Sequence, residues 1–200
     1  TRIFPVSQQV PTHRITATKM ADGRDLFYFD DSPGYVTGDK TRRLDDPRPL
    51  TDRFTPIENE DGTVTPIASP IMRLDQLTGE WIPMATHRMN RTFLPPASAN
   101  PLAPADPNSE YQDGEIPATD YDVVVFENRF PSLLKVPGVD LALRQTDGEE
   151  LFVEAAAAGR CEVICFSPDM NASLGTVTPR RMRTVIEAWT ARTAELIKLP

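Results

Sequence analysis

"RCEVICFSPDMNASLGTVTPRRMRTVIEAWTARTAEL", residues 160 to 196, carries the turn from strand to helix on which the fold depends. The β-branched and apolar content of "CEVICFSP" predicts a strand, and Ser167-Pro168-Asp169 stops it. Downstream, Thr178 is placed to cap a helix and Pro179 to occupy its first position, where a missing N–H costs nothing. Met182, Val185, Ile186, Trp189, Thr193, Leu196 and Ile197 recur at helical spacing, so one stripe of that helix is expected to lie on a sheet. Cys161 and Cys165, four residues apart on a strand, are separated by about 13 Å. That is too far for a disulfide between them and fits two buried thiols in a reducing compartment.

Working outward, "DYDVVVFENRFPSLL" places a nearly continuous apolar run, Val123 to Phe126, ahead of Asn128-Arg129 and a stop at Pro131; such a run reads as the most buried strand. "MRLDQLTGEWIPMA" gives two strands about a Leu77-Thr78-Gly79 turn, and Pro83, which cannot donate to a ladder, puts the second at an edge. "RITATKMADGRDLFYFDD" reads as a hairpin, because Asp22-Gly23 suits the positive φ of a tight turn. Fifteen of the 20 prolines precede residue 120, which confines helix to the end of the chain. Residues 31 to 70 read as an irregular surface excursion, 95 to 117 as loop, and 134 to 159 as a Gly/Glu/Ala-rich connection. The expected class is α+β, a mainly antiparallel sheet with a C-terminal amphipathic helix.

With 29 acidic against 21 basic side chains, the net charge of -8 speaks against nucleic acid and anionic lipid as partners. No apolar run reaches the roughly 20 residues of a membrane helix, and "TRIFPVSQQV" lacks the order of a signal peptide, so a cytoplasmic location is expected, with a start that is trimmed or processed. Walker, dinucleotide-glycine, Gly-x-Ser-x-Gly and His-Glu-x-x-His patterns are absent. His13 and His87, the two histidines, have no second ligand near them in sequence, which argues against metal binding.

Two short stretches could carry chemistry. In "LTGEWIPMATHRMNR" Arg88 and Arg91 would form a cationic fork on either a helical or an extended backbone, as a pair of solvated charges or as a clamp whose guanidinium groups match phosphate oxygens. In "FENRFPSL" polar residues follow a buried strand directly. Asn128 and Phe130 there make either a turn or a nucleotide pocket, Phe130 as apolar wall and Asn128 as hydrogen-bonding group.

"RLDQLTGEWIPMATHRMNR", "VVVFENRFPSLL" and the segment from Arg160 to Leu196, in that order, resemble the N-terminal half of the galactose-1-phosphate uridylyltransferase family. The resemblance spans residues 70 to 199 and divides the chain into a 70–200 half-domain and a 1–69 extension with a hairpin and a proline-rich loop. It implies a histidine-triad-like half-barrel, first half only, whose full members have two related halves and form a homodimer. The implied substrates are UDP-glucose and galactose 1-phosphate, exchanged through a uridylyl-histidine. That nucleophile lies in a His-Pro-His motif expected beyond residue 200, so the segment alone is expected to be inactive and its C-terminal half is an implied partner. By the same resemblance, Arg88 and Arg91 fall on phosphate-contacting positions and Asn128, Arg129 and Phe130 on the uridine site, Arg129 replacing an acidic ribose contact. Asn100, Ala103 and Met170 stand where zinc-bearing members have ligands, so no structural zinc is implied. Two other readings stay open: a dinucleoside polyphosphate phosphorylase or adenylyltransferase of the same superfamily, and a non-catalytic nucleotide-binding half-domain.

Overall fold

The computed structural model describes residues 11–48, 57–58, 61–62, 64–65, 70–85, 100, 102–104, 114–134 and 142–199. In chain order the elements are β1 (Arg14–Lys19), β2 (Asp25–Asp30), α1 (Pro33–Thr37), β3 (Ile57–Glu58), β4 (Val64–Thr65), β5 (Ile71–Leu74), β6 (Trp81–Met84), β7 (Val123–Glu127), β8 (Arg144–Gln145), β9 (Val153–Ala156), β10 (Glu162–Cys165) and α2 (Pro179–Leu196). The fold is α+β, with two antiparallel four-stranded sheets and a C-terminal helix.

The first sheet has the order β1-β2-β7-β10. Its hairpin turns at Gly23, whose φ of 82° is the left-handed conformation that glycine adopts without a steric penalty. Strand β2 then pairs with β7, Leu26 opposite Phe126 and Phe29 opposite Val123, while β10 takes the other side of β7 with Val163 opposite Phe126. Alternation divides these side chains between two layers. Leu26, Tyr28, Val124 and Phe126 face Met20, Ile116 and Tyr121; Phe29, Val123 and Val125 face Val185 and Ala188 of α2. Both faces of β7 are therefore covered, which is why its sequence is continuously apolar rather than alternating. Val123, Val124 and Val125 are 0% exposed and Phe126 1%. Among the described residues, no apolar face lies bare beneath this strand.

The second sheet, β6-β5-β9-β8, contains the Leu77-Thr78-Gly79 hairpin. Pro83 sits on β6 at the edge, as its missing donor requires. Strand β9 lies within the stretch expected to be a connection; its "VEAA" is too short and too alanine-rich to signal a strand by pattern, and pairing with β5 from Ile71 to Arg73 defines it.

Helix α2 begins as expected: the Thr178 hydroxyl accepts from the Arg181 N–H at 3.2 Å and Pro179 follows it. Its buried face is rotated from the expected stripe. Thr184, Val185 and Ala188 are buried with Met182 and Ala191 beside them, whereas Ile186 and Trp189 are exposed and Ile197 is 80% exposed. Small side chains let the helix settle on Phe27 and Phe29, and Arg181 fixes the rotation. Its guanidinium donates to both oxygens of Asp31 (2.9 and 3.2 Å), to the Asp122 carbonyl (2.9 Å) and to the Asp122 carboxylate, while Thr184 donates to Asp31 at 2.8 Å.

Residues 31 to 48 are likewise not a loose excursion. Tyr35 on the short helix α1 and Arg42 are buried, and Arg42 donates to both Asp30 oxygens (2.9 and 2.6 Å) and to Asp120 (2.6 Å). Its guanidinium lies 3.9 Å from the Tyr35 ring centre and 4.7 Å from that of Tyr28. Charge pairing, to which a hydrophobic pattern is blind, draws this segment inward.

Burial pushes the Asp31 carboxyl up, but the hydrogen bonds from Arg181 and Thr184 outweigh it and hold the group below the usual carboxylate range. A carboxyl depressed in the folded state contributes stability that is present above the unfolded value of about 4 and is lost as pH falls through the folded value. Denaturant titrations should therefore show unfolding free energy declining below about pH 4. Asp31→Asn should remove part of that decline and cost about 2 kcal/mol at neutral pH.

Candidate functional site

Exposure changes abruptly at the end of β7. After five buried residues Asn128 and Arg129 are half-buried and Phe130 is 39% exposed. The cause is a turn built by Asn128: its side-chain oxygen accepts from the Phe130 N–H at 2.9 Å, closing an Asx turn that lifts the ring out of the core. The Arg129 guanidinium lies 5.8 Å from the centre of that ring. The side chain assigned on sequence to a base or sugar is thus first of all the acceptor that shapes the ledge.

The ledge rests on the segment entering β10. The Asn128 N–H donates to the Cys161 carbonyl at 2.9 Å. Further on, Leu134 donates to Ala157 at 2.9 Å and Gly159 donates back to Leu134 at 3.4 Å, so residues 131 to 134 run beside 157 to 159. Ser132 Oγ stands 3.6 Å from Cys161 Sγ. Cys161 and Cys165 are both free and only partly buried, and burial pushes the Cys165 thiol up to about 11. That burial disfavours a thiolate at Cys165.

Asn128, Arg129 and Phe130 are consecutive and form one feature. Arg88, Arg91 and His87 lie outside the described residues. His13 stacks on Phe29, ring centres 6.2 Å apart. Asn100 makes a turn, its side chain accepting from Leu102 at 3.0 Å and its carbonyl from Ala103 at 3.0 Å, while Met170 is exposed. Among the described residues no group of three or more His, Cys, Asp or Glu is placed to hold a metal ion.

Sequence reasoning missed the buried arginines. Arg24 sits in the β1–β2 turn, and Arg42 and Arg48 border a cleft of about 380 Å³ with Tyr28, Tyr35 and Asp120. Arg42 is committed to Asp30 and Asp120, Arg43 to Asp45 at 2.7 Å and Arg48 to Asp46 at 2.8 Å, so each arginine lining the cleft is paired with a carboxylate. Burial pushes the Tyr28 and Tyr35 hydroxyls up to about 12, which leaves both as neutral walls. A sequence signal did exist: Asp30 shares a face with Leu26 and Tyr28, an inward position where an acid needs a partner.

A family model for the N-terminal domain of galactose-1-phosphate uridyl transferase matches residues 62–199. The chain belongs to that family. The uridylyltransferase of Streptomyces lividans is 37% identical over 185 residues, covering 92% of this chain and 40% of that protein. The probable galactose-1-phosphate uridylyltransferase of Drosophila melanogaster is 32% identical over 136 residues, 64% of this chain and 38% of that protein. The enzyme of Rattus norvegicus is 29% identical over 134 residues, 62% of this chain and 34% of that protein. The chain thus spans 40% or less of the length of these uridylyltransferases. No solved structure matches. No helix among the described residues is long and apolar enough to cross a membrane.

Gly159 sets how closely the ledge and the segment entering β10 approach. Its φ is 150°, and a Cβ there would meet Leu133 Cβ at 3.1 Å and Cδ1 at 3.2 Å. Gly159→Ala should therefore cost about 1–3 kcal/mol in denaturant unfolding. It should also speed hydrogen exchange at the Leu134 amide, which donates across the contact.

Proposed function

We propose that this chain is the N-terminal part of a uridylyltransferase, exchanging UMP between UDP-glucose and galactose 1-phosphate, and that the Asn128-Phe130 ledge forms one wall of its uridine site. The observation that carries the reading is an exposed aromatic ring on a rigid amide-closed turn, at the end of a fully buried strand, inside the family-matched segment. A flat ring can cover the face of a pyrimidine, and the turn holds that ring without a long mobile side chain.

The reaction runs in two displacements. A histidine nitrogen attacks the α-phosphorus of UDP-glucose as the bond to glucose 1-phosphate breaks; a phosphate oxygen of galactose 1-phosphate then attacks the uridylyl-histidine and frees the imidazole. The nucleophile belongs to the family's His-Pro-His motif, and none of the residues described here takes that role. Arg88 and Arg91 supply the positive charge that holds the phosphates and stabilises charge shifting onto oxygen at each transfer. The working protein is a homodimer of the histidine-triad type located in the cytoplasm. The Asn100 turn and an exposed Met170 support a zinc-free segment, since neither offers the thiolate or imidazole on which structural zinc sites are built.

Joined to a matched segment carrying His-Pro-His, the chain should convert UDP-glucose and galactose 1-phosphate to UDP-galactose, and the 200-residue chain alone should not. Absence of product from the joined protein would count against the reading. Tighter binding of ATP or a dinucleoside polyphosphate than of UDP-glucose would move it to the phosphorylase and adenylyltransferase branch. Phe130→Ala in the joined protein should weaken UMP binding about tenfold, the scale of one lost base–aromatic stack.

A further inference from the structure

Arg24 is 1% exposed, among the most buried side chains of the protein, although it sits in a hairpin turn. Its Nε donates to Asp22 at 2.7 Å and its Nη2 to Glu115 at 2.5 Å, so two carboxylates compensate the charge. The remaining bond is of another kind: Nη1 donates at 2.9 Å to the backbone carbonyl of Glu127, the last residue of β7. On the other side of the same peptide unit, the Asn128 N–H donates to Cys161 at 2.9 Å. The Glu127–Asn128 peptide plane is therefore held at both its oxygen and its nitrogen. That plane sets the direction in which Asn128 leaves the sheet, and with it the position of the Asx turn and the Phe130 ring.

We propose that Arg24 is a positioning residue for the nucleotide ledge: it tunes affinity for a uridine nucleotide by fixing the Glu127–Asn128 peptide, without touching the ligand. The inference rests on the uridine reading given above. It places a determinant of that site in the β1–β2 hairpin, ahead of residue 62 where the family model begins. A guanidinium is needed because its planar fork reaches three acceptors in three fixed directions; an ammonium supplies the charge but not the geometry.

The test uses the joined, active protein and three variants. Arg24→Lys keeps the charge between Asp22 and Glu115. Glu115→Gln removes one carboxylate and leaves the bond to the Glu127 carbonyl. The double variant R24Q/E115Q removes one charge of each sign and stands in if Arg24→Lys does not fold. UMP affinity is measured by calorimetry, stability by thermal unfolding, and the Asn128 and Phe130 amides by hydrogen exchange. Arg24→Lys, or the double variant in its place, should bind UMP about tenfold more weakly and exchange both amides faster, because a loosened shell misplaces the group it supports. Glu115→Gln should lose comparable stability while keeping UMP affinity within about twofold of the parent protein. Unchanged UMP affinity in the Arg24 variants overturns the inference, as does loss of affinity in all variants in step with stability. Failure of the parent protein itself to bind UMP overturns the uridine reading, and this one with it.

Discussion

Burial of β7 on both faces and along both edges is the constraint from which the rest of the structure follows. A strand with β2 on one side, β10 on the other, helix α2 over one face and the Ile116–Tyr121 segment over the other has no freedom of register, since a one-residue slip would exchange its two apolar sets. Its end is then a fixed point in space. A side chain leaving the sheet at Asn128 inherits that fixity, which is how a short polar turn can present an aromatic ring in a defined place without a scaffold of its own.

Around this strand the apolar layers are stitched by arginines rather than closed by apolar contact alone. Arg24 ties the hairpin turn to Glu115, Arg42 ties β2 to Asp120, and Arg181 ties α2 to Asp31 and Asp122. Each joins segments distant in sequence. Such buried pairs contribute little net stability, because desolvation offsets most of their Coulomb attraction, yet a wrong register would leave a charge buried without a partner. Their effect is on specificity of arrangement: they penalise alternatives more than they reward the native state.

This division explains what the sequence could disclose. The hairpin at Asp22-Gly23, the buried run at Val123, the edge strand at Pro83 and the Thr178-Pro179 helix start were legible, because each depends on residues close together in the chain. The face of α2 was not: Ile186, Trp189 and Ile197 look like core by periodicity, and a distant salt bridge from Arg181 turned them outward. The fold of residues 31 to 48 was hidden for the same reason, since Arg42 pairs with Asp120 across 78 positions. Of the candidate site, Asn128 and Phe130 could be recognised as a ledge because a turn is local. The support that Arg24 gives them is long-range and carries no motif.

The pairing of β2 with β7 separates two kinds of boundary. The family model begins at residue 62, but the hydrogen-bond ladder that closes one side of β7 comes from Leu26 to Phe29, a stretch that the alignment over 92% of the chain with the Streptomyces lividans protein includes. A recombinant piece trimmed to the limits of the family model would open a row of unsatisfied amides and carbonyls beside β7, whose five residues are all buried, a template for intermolecular β-addition. The cooperative unit is drawn by backbone bonding, and it reaches well upstream of the family model.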